Sequence, residues 1–360
     1  MIPLSSDTET KPTAAMREAI ARAEVGDEQR GEDPTVNRLQ DRVAALVGKE
    51  AALWFPGGTM CNIVAVKIHT QPADALIADS MAHIIRAESG GVAFHSGVMA
   101  EGIDTPRGIF TPDQVRTALR RLKSAPPLYC PTATLVCVEQ THNFGGGSVW
   151  SLPELAAVSE AARAEGLAVH MDGARLLNAC VASGVAAADF AAQVDSLWLD
   201  FTKGLGAPIG AVLAGSQAFI TKARRYKHVF GGAMRQAGIA AAGCLYALDH
   251  HVDRLADDHA NARRLAEGLT QIPGIEVRTA RPETNMVFFD ARGTGRSNDA
   301  FLSALQAAGV RMGHVSGVIR AVTHLDVSRA DIDAAIAAVA AVAASSTAGT
   351  DRSAGASRGD

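Results

Sequence analysis

Three segments of the sequence carry groups suited to one kind of chemistry. Asp172 ends the apolar run GLAVHMD, and Lys203 follows the apolar run DSLWLD, 31 residues further along the chain. A lysine amine forms Schiff bases with aldehydes, and an aspartate can keep a pyridine nitrogen protonated, so that the ring draws in electrons. The glycine turn PGGT at residues 56–59 precedes a helical segment, whose first N–H groups can bind a phosphate. Together these are the parts that a pyridoxal 5′-phosphate (PLP) site needs.

These groups require elements that bring them to one edge of a sheet. Four short apolar runs are typical of strands buried on both faces. The segment between the first two predicts a helix, because Ser151 and Glu154 have capping-box spacing and Gly166 can end it. Strand–helix–strand order predicts an α/β fold with a mostly parallel sheet, in which ligands bind beyond the carboxyl ends of the strands. The runs are ATLVCVE (133–139), GLAVHMD (166–172), DSLWLD (195–200) and IGAVLAG (209–215).

The patterning divides the chain into four predicted parts. Residues 1–12 are predicted to form an extended N-terminal arm, and residues 13–249 a large PLP-binding domain. A long helical stretch at about 233–270 leads into a small α+β domain at 250–343, with strands IEVRT, NMVFFD and GVIRAVT and two helices. Residues 344–360 are small and polar, which predicts a disordered tail.

Composition argues against several classes of protein. Among 360 residues, 34 Lys and Arg face 38 Asp and Glu, a formal charge of −4 that disfavours binding to nucleic acid. Aromatic residues make up only 5%, which disfavours base-stacking surfaces. Five cysteines without a CxxC pair predict neither disulfides nor a zinc site, and His250 and His251 are interpreted as helix-surface residues, so no metal is expected. No apolar run reaches the ~18 residues of a membrane span, and the N-terminus is unlike a signal peptide. We therefore expect a cytoplasmic protein.

The sequence resembles the L-threonine aldolase family, of the low-specificity and L-allo-threonine type within the beta-eliminating lyase superfamily. The resemblance implies the PLP-dependent aspartate-aminotransferase fold (fold type I) and a homotetramer, a dimer of dimers with active sites at subunit interfaces. It also implies a carbon–carbon lyase that cleaves L-β-hydroxy-α-amino acids to glycine and an aldehyde. It extends from residue 5 to about 335 and is carried by SDTETKPT, GEDPTVNRLQ, GKEAALWFPGGTMCN, QTHN, HMDGARLLNA, FTKGLGAPIG, GGAMRQAGI, TNMVFF and IRAVTHLDVSR.

The resemblance assigns roles to individual residues. Lys203 matches the Schiff-base lysine, Asp172 the partner of the pyridinium nitrogen, and His83 the histidine that stacks on the cofactor ring. A guanidinium can form two parallel hydrogen bonds to a carboxylate, which suits the arginines matched to substrate binding. The further matches are Gly58 and Thr59 for the phosphate-binding turn, Arg235 for an arginine that reaches the phosphate from a neighbouring subunit, Arg175 and Arg320 for the substrate carboxylate, and Ser6 for a pocket serine.

Several positions depart from the family pattern near the part of the site that meets the β-substituent and the adjoining subunit. One hypothesis is a changed substrate preference, toward an acidic or polar β-substituent; the other is drift at a tolerant pocket rim. The departures are Arg30 in place of a tyrosine, Arg86 and Ala87 in place of bulky or aromatic residues, Tyr129 in place of a histidine, and His228 in place of a lysine.

Three functions remain open from the sequence. The first is the aldolase cleavage of L-threonine or L-allo-threonine, with His83, Lys203 or an ordered water as the base. The second is another PLP lyase on the same scaffold, which carries out β-elimination or transaldol transfer on a specialised amino acid. The third is a non-catalytic binding protein that has kept the fold, and the presence of both Lys203 and Asp172 argues against it.

Overall fold

A computed structural model of the protein describes residues 1–347, which form two compact units: Met1–Thr10 together with the chain from Arg254 onward, and Lys11–Asp253. The strands are β1 (Ile2–Leu4), β2 (Ala51–Phe55), β3 (Ala75–Asp79), β4 (Met99–Ile103), β5 (Ala133–Glu139), β6 (Ala168–Gly173), β7 (Ser196–Asp200), β8 (Ala211–Gly215), β9 (Glu276–Val277), β10 (Met286–Asp290), β11 (Val310–Val315) and β12 (Val318–Val322).

The helices alternate with these strands over most of the larger unit. Short 3-10 turns also occur at Asp7–Glu9, Glu28–Arg30, Pro127–Tyr129 and Arg292–Thr294. The α-helices are α1 (Ala14–Ala21), α2 (Pro34–Val47), α3 (Gly58–His69), α4 (His83–Arg86), α5 (Gly91–Ser96), α6 (Pro112–Leu122), α7 (Leu152–Ala164), α8 (Leu176–Ser183), α9 (Ala187–Ala192), α10 (Gln217–Val229), α11 (Gly238–His250), α12 (Leu255–Thr270), α13 (Asn298–Ala307) and α14 (Arg329–Thr347).

The larger unit is built on a seven-stranded sheet with the order β2-β8-β7-β6-β5-β3-β4. Only β8 runs antiparallel to its neighbours, so the prediction of a mostly parallel α/β sheet is confirmed. Every residue of β3, β7 and β8 is buried, because helices pack on the sheet. The carboxyl ends of β2, β3, β5, β6 and β7 therefore lie at the same edge.

Local sequence signals place several helix ends. Ser151 and Glu154 form the predicted capping box at the start of α7, and Gly166 follows the helix with φ at 77°. The helical stretch predicted at about 233–270 is instead two helices, α11 and α12, which are separated by residues 251–254. The predicted tail at 344–360 begins inside α14, whose small residues favour helix, and its residues from 348 on lie outside the described part of the chain.

The smaller unit contains a five-stranded sheet with the order β1-β11-β12-β10-β9. β1 pairs in parallel with β11, so residues of the predicted arm add a strand to this sheet. Its core includes Leu4, Leu265, Phe289 and Phe301. Sequence reasoning missed β11. Its segment VRMGHV mixes apolar residues with a charge, a glycine and a histidine, and only its first three residues alternate between buried and exposed.

Across residues 1–347, no helix combines the length and the apolar composition needed to cross a membrane.

Candidate active site

The predicted acid and lysine lie at the carboxyl edge of the large sheet. Asp172 is near the end of β6, opposite Glu139 of β5 in the sheet register. Lys203 follows the end of β7, three residues after Asp200. Since β5, β6 and β7 are parallel, the groups that follow their last residues face the same space beyond the sheet.

Lys203 is held by the turn that carries it. Its Nζ donates to Oδ2 of Asp200 at 2.6 Å and lies 5.6 Å from the ring centroid of Trp198. The following turn is anchored by His251, whose Nδ1 lies 2.7 Å from the carbonyl oxygen of Leu205. The interpretation of His251 as a helix-surface residue was wrong, because the residue is buried and its ring makes this hydrogen bond inside the protein.

Asp172 is a buried carboxylate with donors on both oxygens. Its Oδ1 accepts from the backbone N–H of Ala174 at 3.1 Å, and its Oδ2 accepts from Nδ2 of Asn62 at 2.8 Å. Burial raises the pKa of Asp172, and the negative charges of Glu139 and Glu88 raise it further. A carboxylate in such a place is stabilised by a cationic partner, which the protonated nitrogen of a pyridine ring provides.

His83 begins α4, just beyond β3. Its backbone N–H donates to Oε2 of Glu139 at 2.8 Å, and its Nδ1 lies 2.9 Å from Oε1 of Glu88. The hydrogen bond to Glu88 raises the pKa of His83 above its ordinary value. Because Glu88 is an acceptor, Nδ1 is the donor, and Nε2 is left for a second partner.

Sequence reasoning missed Asn62, which links these groups. Its Nδ2 donates both to Asp172 and to Oε1 of Glu88, the second at 2.7 Å. The signal that could have identified Asn62 is its spacing: it follows Gly58 by four residues in α3, so the two residues lie on the same face of the helix. One ligand atom each of His83, Glu88 and Asp172 lie within 4.8 Å of one another. Both carboxylates already accept from Asn62, however, and a cation would have to displace that amide.

The glycine turn leads from β2 directly into α3. A Cβ on Gly58 would lie 2.2 Å from Cη2 of Trp198, so that only glycine fits against the indole. A Cβ added to Gly57 would meet no other atom within 4 Å, and no side chain caps the start of α3. Thr59 is exposed in the first turn. The free N–H groups at the start of α3 therefore lie at the same edge as Asp172 and Lys203, where they can bind an anion.

Two of the predicted arginines share one acid. Nη1 of Arg235 lies 2.9 Å from Oδ2 of Asp27, and Nε of Arg30 lies 3.8 Å from the same oxygen. Both guanidinium groups are mostly exposed, at 61% and 72%. Arg175, in contrast, is buried, and it lies three residues after Asp172, where its backbone N–H donates to the carbonyl of Gln140.

Four further predicted site residues have other surroundings. Tyr129 precedes the amino end of β5, at the opposite edge of the sheet, and its side chain is 75% exposed. Arg86 is exposed, and its Nε donates to the carbonyl of Ser80 at 2.6 Å. Ser6 and Arg320 belong to the smaller unit, in which Ser6 caps a 3-10 turn and Nη2 of Arg320 donates to the carbonyl of Ser5 at 3.0 Å.

Comparisons with known proteins identify the family of the chain. The family model described as beta-eliminating lyase matches residues 3–292. Low-specificity L-threonine aldolase 1 of Arabidopsis thaliana is 38% identical over 337 residues, which cover 92% of this chain and 93% of the relative. The low specificity L-threonine aldolase of Escherichia coli (strain K12) is 39% identical over 330 residues, covering 91% and 95% of the two chains.

A solved structure supports the same fold. The threonine aldolase of Leishmania major superposes with a TM-score of 0.81 at 20% identity, covering 95% of this chain and all of the other. The fold is therefore that of fold type I enzymes. The chain belongs to the beta-eliminating lyase family and, within it, to the L-threonine aldolase family.

Proposed function

We propose that this protein is a PLP-dependent aldolase that cleaves L-threonine, L-allo-threonine or related L-β-hydroxy-α-amino acids to glycine and an aldehyde. The observation that carries the proposal is the presence of Lys203 and the buried Asp172 at one sheet edge, beside a helix N-terminus. Relatives named L-threonine aldolase, at 38% and 39% identity over most of the chain, support the same reaction class.

The residues at this edge fit PLP. Asp172 would bind the ring nitrogen, since its buried carboxylate needs a cationic partner. Lys203 would bind the aldehyde carbon, and the turn at Gly58 and Thr59 would bind the phosphate through the free N–H groups of α3. Arg235, exposed on the surface, would reach the phosphate of a neighbouring subunit. When bound, the cofactor supplies a conjugated ring that takes up the electron pair of the broken Cα–Cβ bond.

The protein's own residues would orient the substrate and move its protons. Arg175, which is buried and lies three residues after Asp172, would bind the substrate carboxylate through two parallel hydrogen bonds. His83 would accept the proton of the β-hydroxyl at Nε2, because Glu88 holds Nδ1 as a donor. Lys203 and an ordered water are the alternative acceptors. From the resemblance we propose that Ser6 and Arg320 also bind the substrate.

Product analysis tests this function. The PLP-loaded protein is offered a panel of threo and erythro β-hydroxy amino acids, and we expect equimolar glycine and aldehyde. Ammonia and a keto acid would instead identify a β-eliminating lyase. The matched control is Lys203→Ala, which we expect to lose both turnover and the visible absorbance of the bound cofactor. A wild-type protein with no turnover on any member of the panel would support the non-catalytic alternative.

The finer properties are also proposals. We propose a homotetramer, a dimer of dimers, as the resemblance implies; the exposed side chains of Arg30, Arg235 and Tyr129 would then contact the site of a neighbouring subunit. Light scattering coupled to size-exclusion chromatography would measure the mass. We propose a cytoplasmic location and no resident metal, to be checked by cell fractionation and by metal analysis of the purified protein.

A further inference from the structure

A chain of hydrogen bonds between buried polar side chains runs behind Asp172. Asn62, His170 and Ser196 are fully buried, and His69 at its far end is half-buried against Phe219. The links, in order, are His69 Nε2 to Ser196 Oγ at 2.8 Å, Ser196 Oγ to His170 Nδ1 at 2.8 Å, His170 Nε2 to Asn62 Oδ1 at 3.1 Å, and Asn62 Nδ2 to Asp172 at 2.8 Å and to Glu88 at 2.7 Å.

One residue determines the orientation of the Asn62 amide. Nε1 of Trp198, which can only donate, lies 2.8 Å from Oδ1 of Asn62. The amide oxygen must therefore face Trp198, and the amide nitrogen must face the two carboxylates. Both N–H bonds of Asn62 are then used, one on Asp172 and one on Glu88.

The hydrogen bonds of the two histidines run in the same donor-to-acceptor direction, toward the carboxylates. Burial lowers the pKa of His170 to about 3 and that of His69 to about 4, so both rings are neutral at pH 7. His170 donates from Nε2 to Asn62 and accepts at Nδ1 from Ser196. Ser196, having used its proton, accepts from His69. Each donor in the chain thus points toward the carboxylates.

We propose that Asn62, held by Trp198 and His170, is a positioning residue that keeps Asp172 ionised beside the carboxylate of Glu88. The proposal rests on the proposed function, in which Asp172 binds the cofactor's ring nitrogen. Adjacent carboxylates otherwise tend to share one proton, whereas hydrogen bonds donated to the charged forms favour both charges. Within residues 1–347, Oε2 of Glu88 has no hydrogen-bond partner, so Asn62 and His83 are the two donors seen on this side chain, both at Oε1.

The charges around Asp172 make this contribution necessary. Glu139 of β5 and Glu88 after α4 disfavour its ionised form, while His83 of α4 and Lys203 after β7 favour it. Other titratable groups that respond to the charge of Asp172 are Cys61, Cys137 and His142. Without Asn62, Asp172 would take up a proton at a higher pH and release its hold on the ring nitrogen.

The test replaces Asn62 by leucine, which has a similar size and no donor. The primary measurement is the PLP dissociation constant of the apo-protein between pH 6 and pH 9.5. Loss of a hydrogen bond to a charged group corresponds to a shift of about one to two pH units. Burial raises the pKa of Asp172 to about 6. For Asn62→Leu we therefore expect PLP affinity at pH 7 to fall by about two- to ten-fold and to recover toward the wild-type value at pH 9.5. The acid limb of kcat/KM should move to higher pH by the same amount.

A second pair of variants tests the chain where Asn62 itself is kept. His170→Gln retains a donor and an acceptor, whereas His170→Phe retains only the ring volume. We expect His170→Phe to shift the pH dependence in the same direction by a smaller amount, and His170→Gln to stay near the wild type. If Asn62→Leu fails to fold, this pair carries the test. Asn298→Leu, in the smaller unit, is the control for loss of a buried, hydrogen-bonded asparagine, and it should leave the pH dependence unchanged.

Two outcomes would overturn the proposal. One is a loss of PLP affinity in Asn62→Leu that is equal at every pH, as a merely structural defect would produce. The other is an unchanged pH dependence in both Asn62→Leu and His170→Phe. A wild-type protein that binds PLP but releases no glycine would refute the proposed aldolase activity and leave the affinity test decisive. A wild-type protein that binds no PLP would refute both.

Discussion

The buried ion pair between Lys227 and Glu28 gives a stability prediction that can be worked out from the structure. Nζ of Lys227 lies 2.5 Å from Oε1 of Glu28, and the two side chains are 1% and 5% exposed. Nζ also lies 4.9 Å from the ring centroid of Trp54. Glu28→Gln removes the charge but keeps an oxygen that can accept from the backbone N–H of Met234. The variant therefore leaves a buried ammonium without its anion.

The loss of stability in Glu28→Gln has an upper limit, because Lys227 can release its proton instead of remaining charged without a partner. Burial already lowers the pKa of Lys227, and Glu28 opposes that effect. Deprotonation costs about 1.4 kcal/mol for each pH unit below about 10.4, which is ~4.6 kcal/mol at pH 7 and ~1.2 kcal/mol at pH 9.5. The first value agrees with the loss of about 3–5 kcal/mol expected when one partner of a buried pair is removed.

The sign of the pH dependence follows from proton binding. In Glu28→Gln the folded state has the lower pKa for Lys227, so the unfolded state binds more protons between the two pKa values. The destabilisation is then largest at low pH and is lost as the pH rises toward 10. The double variant Glu28→Gln/Lys227→Met has no buried charge at this position. It should recover most of the stability that Glu28→Gln loses at pH 7.

The assay is urea unfolding followed by tryptophan fluorescence at pH 7 and pH 9.5. All three tryptophans lie within Lys11–Asp253, so the signal reports on the unit that holds the pair. The matched control is Glu165→Gln, which breaks the exposed pair with Lys123 and should change the free energy of unfolding by less than about 1 kcal/mol. A loss in Glu28→Gln that is below 1 kcal/mol at pH 7, or equal at both pH values, would refute the reasoning.

Three further predictions concern the proposed active site. Gly58→Ala places a Cβ 2.2 Å from Cη2 of Trp198, so the free energy of unfolding should fall by about 1–3 kcal/mol and PLP should bind more weakly; an unchanged PLP dissociation constant would contradict this use of the turn. Glu88→Gln removes the hydrogen bond that raises the pKa of His83, so the acid limb of kcat/KM should move to lower pH by about one unit; a shift to higher pH would count against the role of His83. Arg30→Tyr should lower kcat/KM selectively for acidic and polar β-substituents in the amino acid panel, and equal relative values for all substrates would end the specificity hypothesis.

Much of the framework of this protein could be predicted from local sequence. The apolar runs that became β5, β6, β7 and β8 are short and nearly free of charge, which is the pattern of strands covered on both faces. The capping box of α7 could be predicted because its partners are three residues apart. Since parallel strands end at one edge, the same order of elements brings Asp172 and Lys203 together.

Other features depended on contacts between residues far apart in the chain. The break between α11 and α12 leaves no clear local signal, and the buried His251 forms a hydrogen bond with a carbonyl 46 residues away in the sequence. Tyr129 could be aligned with a site position by sequence, but only the sheet shows that it precedes the amino end of β5. Ala-rich α14 continues past the predicted boundary, because its composition favours helix as much as disorder.

The sequence by itself determined the family, the order of strands and helices, and the residue types that a PLP site requires. The tertiary structure decided the hydrogen-bond partners, the orientation and the protonation of those groups. Asn62 meets Glu88 across 26 residues and Asp172 across 110, and Trp198 meets Asn62 across 136. The physical reason is that strand periodicity and helix capping act over a few residues, whereas the hydrogen bonds and burial that set a carboxylate's protonation come from side chains that only folding brings together.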